Sequence, residues 1–278
     1  PGASDPLEFT LTRQEVVFKP VQNAALLRDG VGYVDLTVFG EESQSSVKAA
    51  VDSLRGAGMR SLILDLRGNP GGLLDQGVAV SELFLDPGQE IVAMKGRARE
   101  ANQRFVDRLP QAYGGMPVVV LVDSGSASAS EIVAGALQDH DRAAVVGTTS
   151  FGKGSAQSLI PTIGGGAVKL TTALWYTPVG RSISRLPSDT SDSGDALDDL
   201  LPSSRDTTER PTFRTDAGRT VYGGGGITPD VIVPDPAQDS TTRELEVALG
   251  AKVPQFRDAL TSYAISLRGS PLVRTPGF

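Results

Sequence analysis

The chain has 278 residues, no cysteine and a single histidine, His140, which excludes disulfides, thiolate metal sites and cysteine–histidine nucleophilic catalysis. With 39% hydrophobic residues it can bury the core of one large domain or two smaller ones, and a net charge of -7 without a basic stripe argues against a nucleic-acid partner. No apolar run approaches the ~20 residues that span a bilayer, and no basic-then-apolar signal pattern is present.

Along the chain, Leu7, Phe9 and Leu11 alternate with polar residues and predict a strand behind a turn-like leader at 1–6. Residues 31–38 predict a strand. Residues 43–55, with Val47, Val51 and Leu54 on one face, predict a helix closed by Gly56 and Gly58. A largely apolar strand at 61–66, a turn at Asn69-Pro70-Gly71-Gly72 and a helix at 74–85 follow. Further strands are expected at 91–94, 117–122 and 143–146, with a small-residue turn and a helix between the last two. Strands alternating with helices predict an α/β core with a mainly parallel sheet, continued by residues 168–176. Residues 187–211 are rich in Ser, Asp, Thr and Pro and are expected to form a solvated acidic insertion whose carboxylates do not match a regular calcium loop. Residues 241–267 carry apolar side chains at helical spacing, with Pro254 as a break or a new start.

Two side chains suggest chemistry. Ser128 stands at a strand–turn–helix junction, where unpaired N–H groups and the helix dipole favour an oxyanion; Ser124, Ser126 and Ser130 share the stretch, and Ser128 with Glu131 also fits a capping box. Lys153 lies in Gly147-Thr-Thr-Ser-Phe-Gly-Lys153, a near miss to a phosphate loop because Gly154 replaces the Ser or Thr that holds Mg²⁺. Burial between Gly152 and Gly154 would lower the amine from about 10.4 toward neutrality, making it a base, with Gln157 placed to hold it. Adjacent glycines at 71 and 72 can turn an N–H toward a substrate oxygen. His140 ends the helix that Ser128 begins, about 18 Å away, and reads as a dipole-stabilised cap; Asp65 and Arg67 read as structural.

The segments Leu64-Asp-Leu-Arg-Gly-Asn-Pro-Gly-Gly72, Gly125 through Asp139, Phe151-Gly-Lys-Gly-Ser-Ala-Gln157, Tyr176-Thr-Pro-Val-Gly-Arg-Ser182 and Gly226-Ile-Thr-Pro-Asp230, in this order, resemble the carboxyl-terminal processing peptidases, or tail-specific proteases. The resemblance implies a crotonase/Clp-protease-like α/β core at 21–234 and the end of an N-terminal PDZ domain at 1–20; the stretch at 235–278 matches none of its motifs and is expected to be a helical C-terminal segment from its apolar spacing alone. It makes Ser128 the nucleophile, Lys153 the base and Gln157 its orienting partner, with the N–H groups of Ala129 and of Gly72 or Gly71 as the oxyanion hole and no metal or cofactor. Polypeptide substrates taken by their C-termini, a homo-oligomer or adaptor protein as further partners, and a location outside the cytoplasm are implied with it. A catalytically silent peptide-binding protein on the same fold and acyl-thioester chemistry on a crotonase-like core are the alternatives.

Overall fold

A computed structural model describes residues 18–184, 210–233 and 240–266. The chain divides into two compact units, Phe18–Val233 and a second made of Pro1–Val17 with Pro234–Phe278.

The first unit runs β1 (Val21–Leu26), β2 (Val31–Leu36), α1 (Ser43–Gly56), β3 (Ser61–Asp65), α2 (Leu74–Glu82), β4 (Glu90–Gly96), β5 (Gln103–Val106), β6 (Val118–Val122), α3 (Ala129–Asp139), β7 (Ala144–Gly147), β8 (Ser155–Pro161), β9 (Ala167–Tyr176), β10 (Thr212–Arg214), β11 (Thr220–Tyr222) and β12 (Val231–Ile232). Its main sheet has the order β1-β2-β3-β6-β7-β12. β2, β3, β6, β7 and β12 pair in parallel, and β1 joins β2 antiparallel. Val34, Leu36, Leu62, Leu64, Val120 and Val122 are buried on these strands, and each such side chain removed from water contributes about 1.5–3 kcal/mol. α1 turns Val47, Val51 and Leu54 to the core, the face its 3.6-residue period predicts. α3 is buried along its whole length and packs against α2 and β4, while on another side Gly135 lets Thr177 and Ile227 come close. Gly77 of α2 is part of that approach, since a Cβ there would stand 3.1 Å from the Ala129 Cβ.

Residues 168–176 do not continue the parallel sheet as expected. They form β9 in a separate antiparallel sheet of order β5-β4-β9-β8, because the glycine turn at 164–166 folds β8 back on β9 as a hairpin. Residues 91–94, expected in the parallel sheet, belong to the same antiparallel sheet. The second helix stops at Glu82 rather than residue 85, and Phe84 and Leu85 are driven into the core beyond it. Strands β1, β5, β8, β10, β11 and β12 have no counterpart among the elements expected from the sequence.

In the second unit, α4 (Ser240–Leu249) and α5 (Val253–Ser266) are joined by a short 3-10 turn. Pro254 starts α5 in the first turn, where a missing N–H breaks no helical bond. The strand expected at 7–11, nearly all of the PDZ end expected at 1–20 and all but residues 210 and 211 of the acidic stretch lie outside the described residues. Among the described residues no helix is long and apolar enough to cross a membrane.

Candidate active site

β6 delivers the chain into a turn at 123–128, from which α3 departs. Asp123 braces that turn: its Oδ1 accepts the N–H groups of Gly125 at 2.9 Å, Ser126 at 3.1 Å and, from the loop after β3, Gly68 at 2.8 Å. Tertiary surroundings then separate the four serines. Ser126 is buried and donates its hydroxyl to the Leu66 carbonyl at 2.7 Å, Ser130 is buried and donates to the Asn69 carbonyl at 2.9 Å, and Ser124 is exposed. Ser128 is partly buried at the N-cap of α3 with φ 55° and ψ -115°, a backbone state that costs a non-glycine residue about 1–3 kcal/mol and persists only where neighbours fix it.

The glycine loop supplies one such neighbour. Gly71 has φ 90°, and a Cβ there would stand 2.5 Å from the Ala127 oxygen and 2.8 Å from the Ser128 Cβ, so only glycine lets the loop press on the serine turn. Buried Asn69 holds the loop in place. Its Nδ2 donates to the Leu36 carbonyl at 2.6 Å, its Oδ1 accepts the Gly71 N–H at 2.9 Å, and its carbonyl accepts the Ala127 N–H at 2.9 Å. The Gly71 N–H is thereby spent. Phe39 N–H donates to the Gly71 carbonyl and Leu73 N–H to the Phe39 carbonyl, so the segment lies beside Phe39 as a short parallel pairing and Gly72 turns its N–H to the opposite side. Ala129 is the first residue of α3, and its N–H has no partner within the helix. Of the two glycines considered as donors, Gly72 rather than Gly71 has its N–H available.

Glu131, read from sequence only as half of a capping box, joins the serine turn to the lysine loop. Its Oε2 accepts the Ser128 N–H at 2.8 Å and the Lys153 N–H at 2.9 Å; its Oε1 accepts the Gly152 N–H at 2.7 Å and the Ser150 hydroxyl at 2.5 Å. Two amides on one oxygen hold the Ser128 and Lys153 nitrogens no farther apart than the sum of those two bonds. Glu131 is fully buried, and burial pushes its carboxyl above the ordinary glutamate range against the lowering effect of the four donors.

The lysine loop is fixed from other directions as well. Phe151 N–H donates to the Ser126 carbonyl at 2.9 Å and Ile227 N–H to the Ser150 hydroxyl at 2.7 Å, so the Gly226–Asp230 stretch packs on it. Gly154 is pressed against Ser184, whose N would lie 2.8 Å from a Cβ at that position. Among the described residues no ion pair engages the Lys153 amine, and no hydrogen bond links the Ser128 hydroxyl, the Lys153 amine and the Gln157 amide to one another. Gln157 stands on β8, directly after the loop.

The remaining candidates stand apart from Glu131. His140 is the C-cap of α3, with its ring 2.7 Å from both Asp216 Oδ2 and the Glu90 carbonyl. Arg67 forks onto Asp65, which also accepts the Tyr33 hydroxyl at 2.8 Å; burial and that bond push the Tyr33 hydroxyl up to about 12. A cleft of about 530 Å³ lined by Glu90, Lys95, Arg104 and Tyr176 among others includes none of the residues around Glu131.

Together these features define an α/β protein in which a strained serine at a helix N-terminus, a glycine loop and a lysine loop meet on one buried carboxylate. The chain belongs to peptidase family S41, whose model matches residues 30–190. It is 45% identical over 186 residues to a carboxy-terminal-processing protease of Bartonella bacilliformis, covering 66% of this chain and 42% of that protein. It is 40% identical over 190 residues to a carboxyl-terminal-processing protease of Synechocystis, covering 66% and 43%. The chain thus spans less than half the length of these curated relatives. Among solved structures it is similar to a photosystem II D1 C-terminal processing protease, with a TM-score of 0.58 and 27% identity, covering 82% of this chain and 52% of that one.

Proposed function

We propose that the chain is the catalytic part of a serine endopeptidase that cuts polypeptides at or near their C-termini through a Ser128/Lys153 dyad. The observation that carries this reading is the shared Glu131 oxygen, which sets the backbones of both residues side by side. The names of the similar proteins support the C-terminal preference. Neutral Lys153 takes the Ser128 proton as the serine oxygen attacks the peptide carbonyl, and Gln157 orients the amine. The oxyanion is received by the Gly72 and Ala129 N–H groups at the positive end of α3, where each donor is worth about 10²–10³ in rate. Collapse breaks the C–N bond, the leaving amine takes the proton from Lys153, and water hydrolyses the acyl-enzyme. An extracytoplasmic location and recruitment through a PDZ domain rest on the family resemblance, and cell fractionation tests the first.

Incubating unfolded casein with the wild type and with Ser128→Ala, with product masses read out, tests the reading. Products shortened from the C-terminus by the wild type alone are expected, and equal cleavage by both proteins would remove Ser128 from the chemistry. The absence of a Ser128–Lys153 hydrogen bond favours a second reading, a peptide-binding protein without turnover, which predicts binding of casein peptides and no cleavage by either.

A further inference from the structure

β8 begins two residues after Lys153 and pairs on one side only, with β9, so its other side is an open edge among the described residues. Its register shows which groups face that edge. The Thr162 N–H donates to the Gly166 carbonyl at 2.8 Å, so that pair is a hydrogen-bonded one, and antiparallel pairs alternate from there. Ile160↔Val168 and Ser158↔Leu170 turn their backbone groups toward β9, whereas Leu159↔Lys169 and Gln157↔Thr171 turn theirs outward. Beyond the irregularity between Ala156 and Gln157, the bond from Trp175 N–H to the Gly154 carbonyl at 3.0 Å sets Ser155 outward as well. Ser155, Gln157 and Leu159 therefore present alternate donors and acceptors about 7 Å apart, in line with Lys153. Pro161, which has no N–H, occupies the next outward place and ends the row.

Exposed edges are usually guarded by charge. β8 has none: it reads Ser-Ala-Gln-Ser-Leu-Ile-Pro, with Leu159 71% exposed and Ile160 46% exposed, and exposed Val168 and Leu170 stand on the adjacent strand. An uncharged, aliphatic edge continuous with the site fits an extended apolar segment of polypeptide better than open water.

We infer that the β8 edge receives the substrate as an added strand, with backbone bonds to Ser155, Gln157 and Leu159 setting register and aliphatic side chains flanking it on both faces. This rests on the peptidase reading and names how that site holds its substrate. The pairing leads the chain toward Lys153 with a preference for apolar side chains rather than for one sequence, and it needs unsubstituted backbone N–H groups at every second residue.

The test measures binding of a fluorescein-labelled casein decapeptide to Ser128→Ala by anisotropy, with the peptide N-methylated at every second residue in each of the two phases. One phase should weaken binding about tenfold or more while the other changes it little, because only alternate N–H groups face a neighbouring strand. Leu159→Pro, which removes an outward N–H without taking a bond from β9, should weaken the unmethylated peptide and spare the already weakened phase, whereas Leu159→Ala should keep the two-phase pattern. Equal effects in both phases, no effect in either, or no binding would overturn the inference. A shift of the protein from dimer to monomer on Leu159→Pro would also overturn it, because the edge then pairs two copies of the chain. Casein cleavage by the wild type is read separately, so loss of the peptidase reading and loss of the edge-strand inference give different results.

Discussion

A carboxylate sealed from solvent ordinarily needs a cation, yet Glu131 is met by four neutral donors, three of them backbone amides. Fully buried and bonded to the backbones of Ser128 and Lys153, it is placed to position those residues rather than to meet a substrate itself. Glu131→Gln keeps the shape but sets an amide NH₂ against N–H donors on one side. It should cost about 1–3 kcal/mol of stability in urea titrations and lower kcat more than it raises KM, and an unchanged kcat would deny it the positioning role. The sequence made half of this legible, because Ser128-Ala-Ser-Glu131 has capping-box spacing. The other half comes from Ser150, Gly152 and Lys153, about twenty residues away, and no local pattern encodes a bond across that distance. The choice among four serines was equally hidden, because it depends on whether Leu66 and Asn69 carbonyls come within reach of Ser126 and Ser130.

At the scale of elements, the loop after β3 and the turn before α3 are shaped to fit each other. Gly71→Ala would drive a Cβ into the Ala127 oxygen and hold a non-glycine residue at φ 90°, so it should abolish peptidase activity and lower stability by about 1–3 kcal/mol. Retention of wild-type rate in that variant would show that the loop does not need this approach. In the main sheet α1 and the parallel strands β2, β3, β6 and β7 were readable because they follow the simple periods of buried faces, whereas the two-residue β12 is too short to show one. β9 was expected in the wrong sheet and β8 was not expected at all. The apolar residues of β9 resemble those of a parallel strand, β8 has no apolar alternation to reveal it, and only the hairpin turn at Gly164–Gly166 pairs the two in a second sheet.

Across the molecule, α3 carries the serine at one end and a buried ion pair at the other. Arg181 and Asp139 are both fully buried, and Arg181 also donates to Gln138 at 3.0 Å and to the Tyr222 carbonyl at 3.2 Å. Arg181→Met alone should therefore destabilise by about 3–5 kcal/mol by stranding Asp139, and the double variant with Asp139→Leu should recover most of the loss; additive losses would contradict the pairing. Acid sensitivity follows from Asp65. Burial works against its charge, but the Arg67 hydrogen bonds and the Tyr33 hydroxyl prevail and hold its carboxyl below the usual aspartate range. Its contribution is complete above the unfolded value of about 3.9 and is lost as pH falls through the lower folded value. Urea midpoints taken from pH 7 down to pH 2 should fall more steeply below pH 4 for the wild type than for Asp65→Asn, and parallel curves would refute the assignment.

In the proposed mechanism everything depends on Lys153 as the base for Ser128. Casein cleavage rates of the wild type and Lys153→Ala, with circular dichroism establishing that both are folded, decide this. A loss of about 10²–10⁴-fold or more in a folded Lys153→Ala protein is predicted. Cleavage at the wild-type rate by that variant would contradict the dyad and leave Ser128 without its proton acceptor.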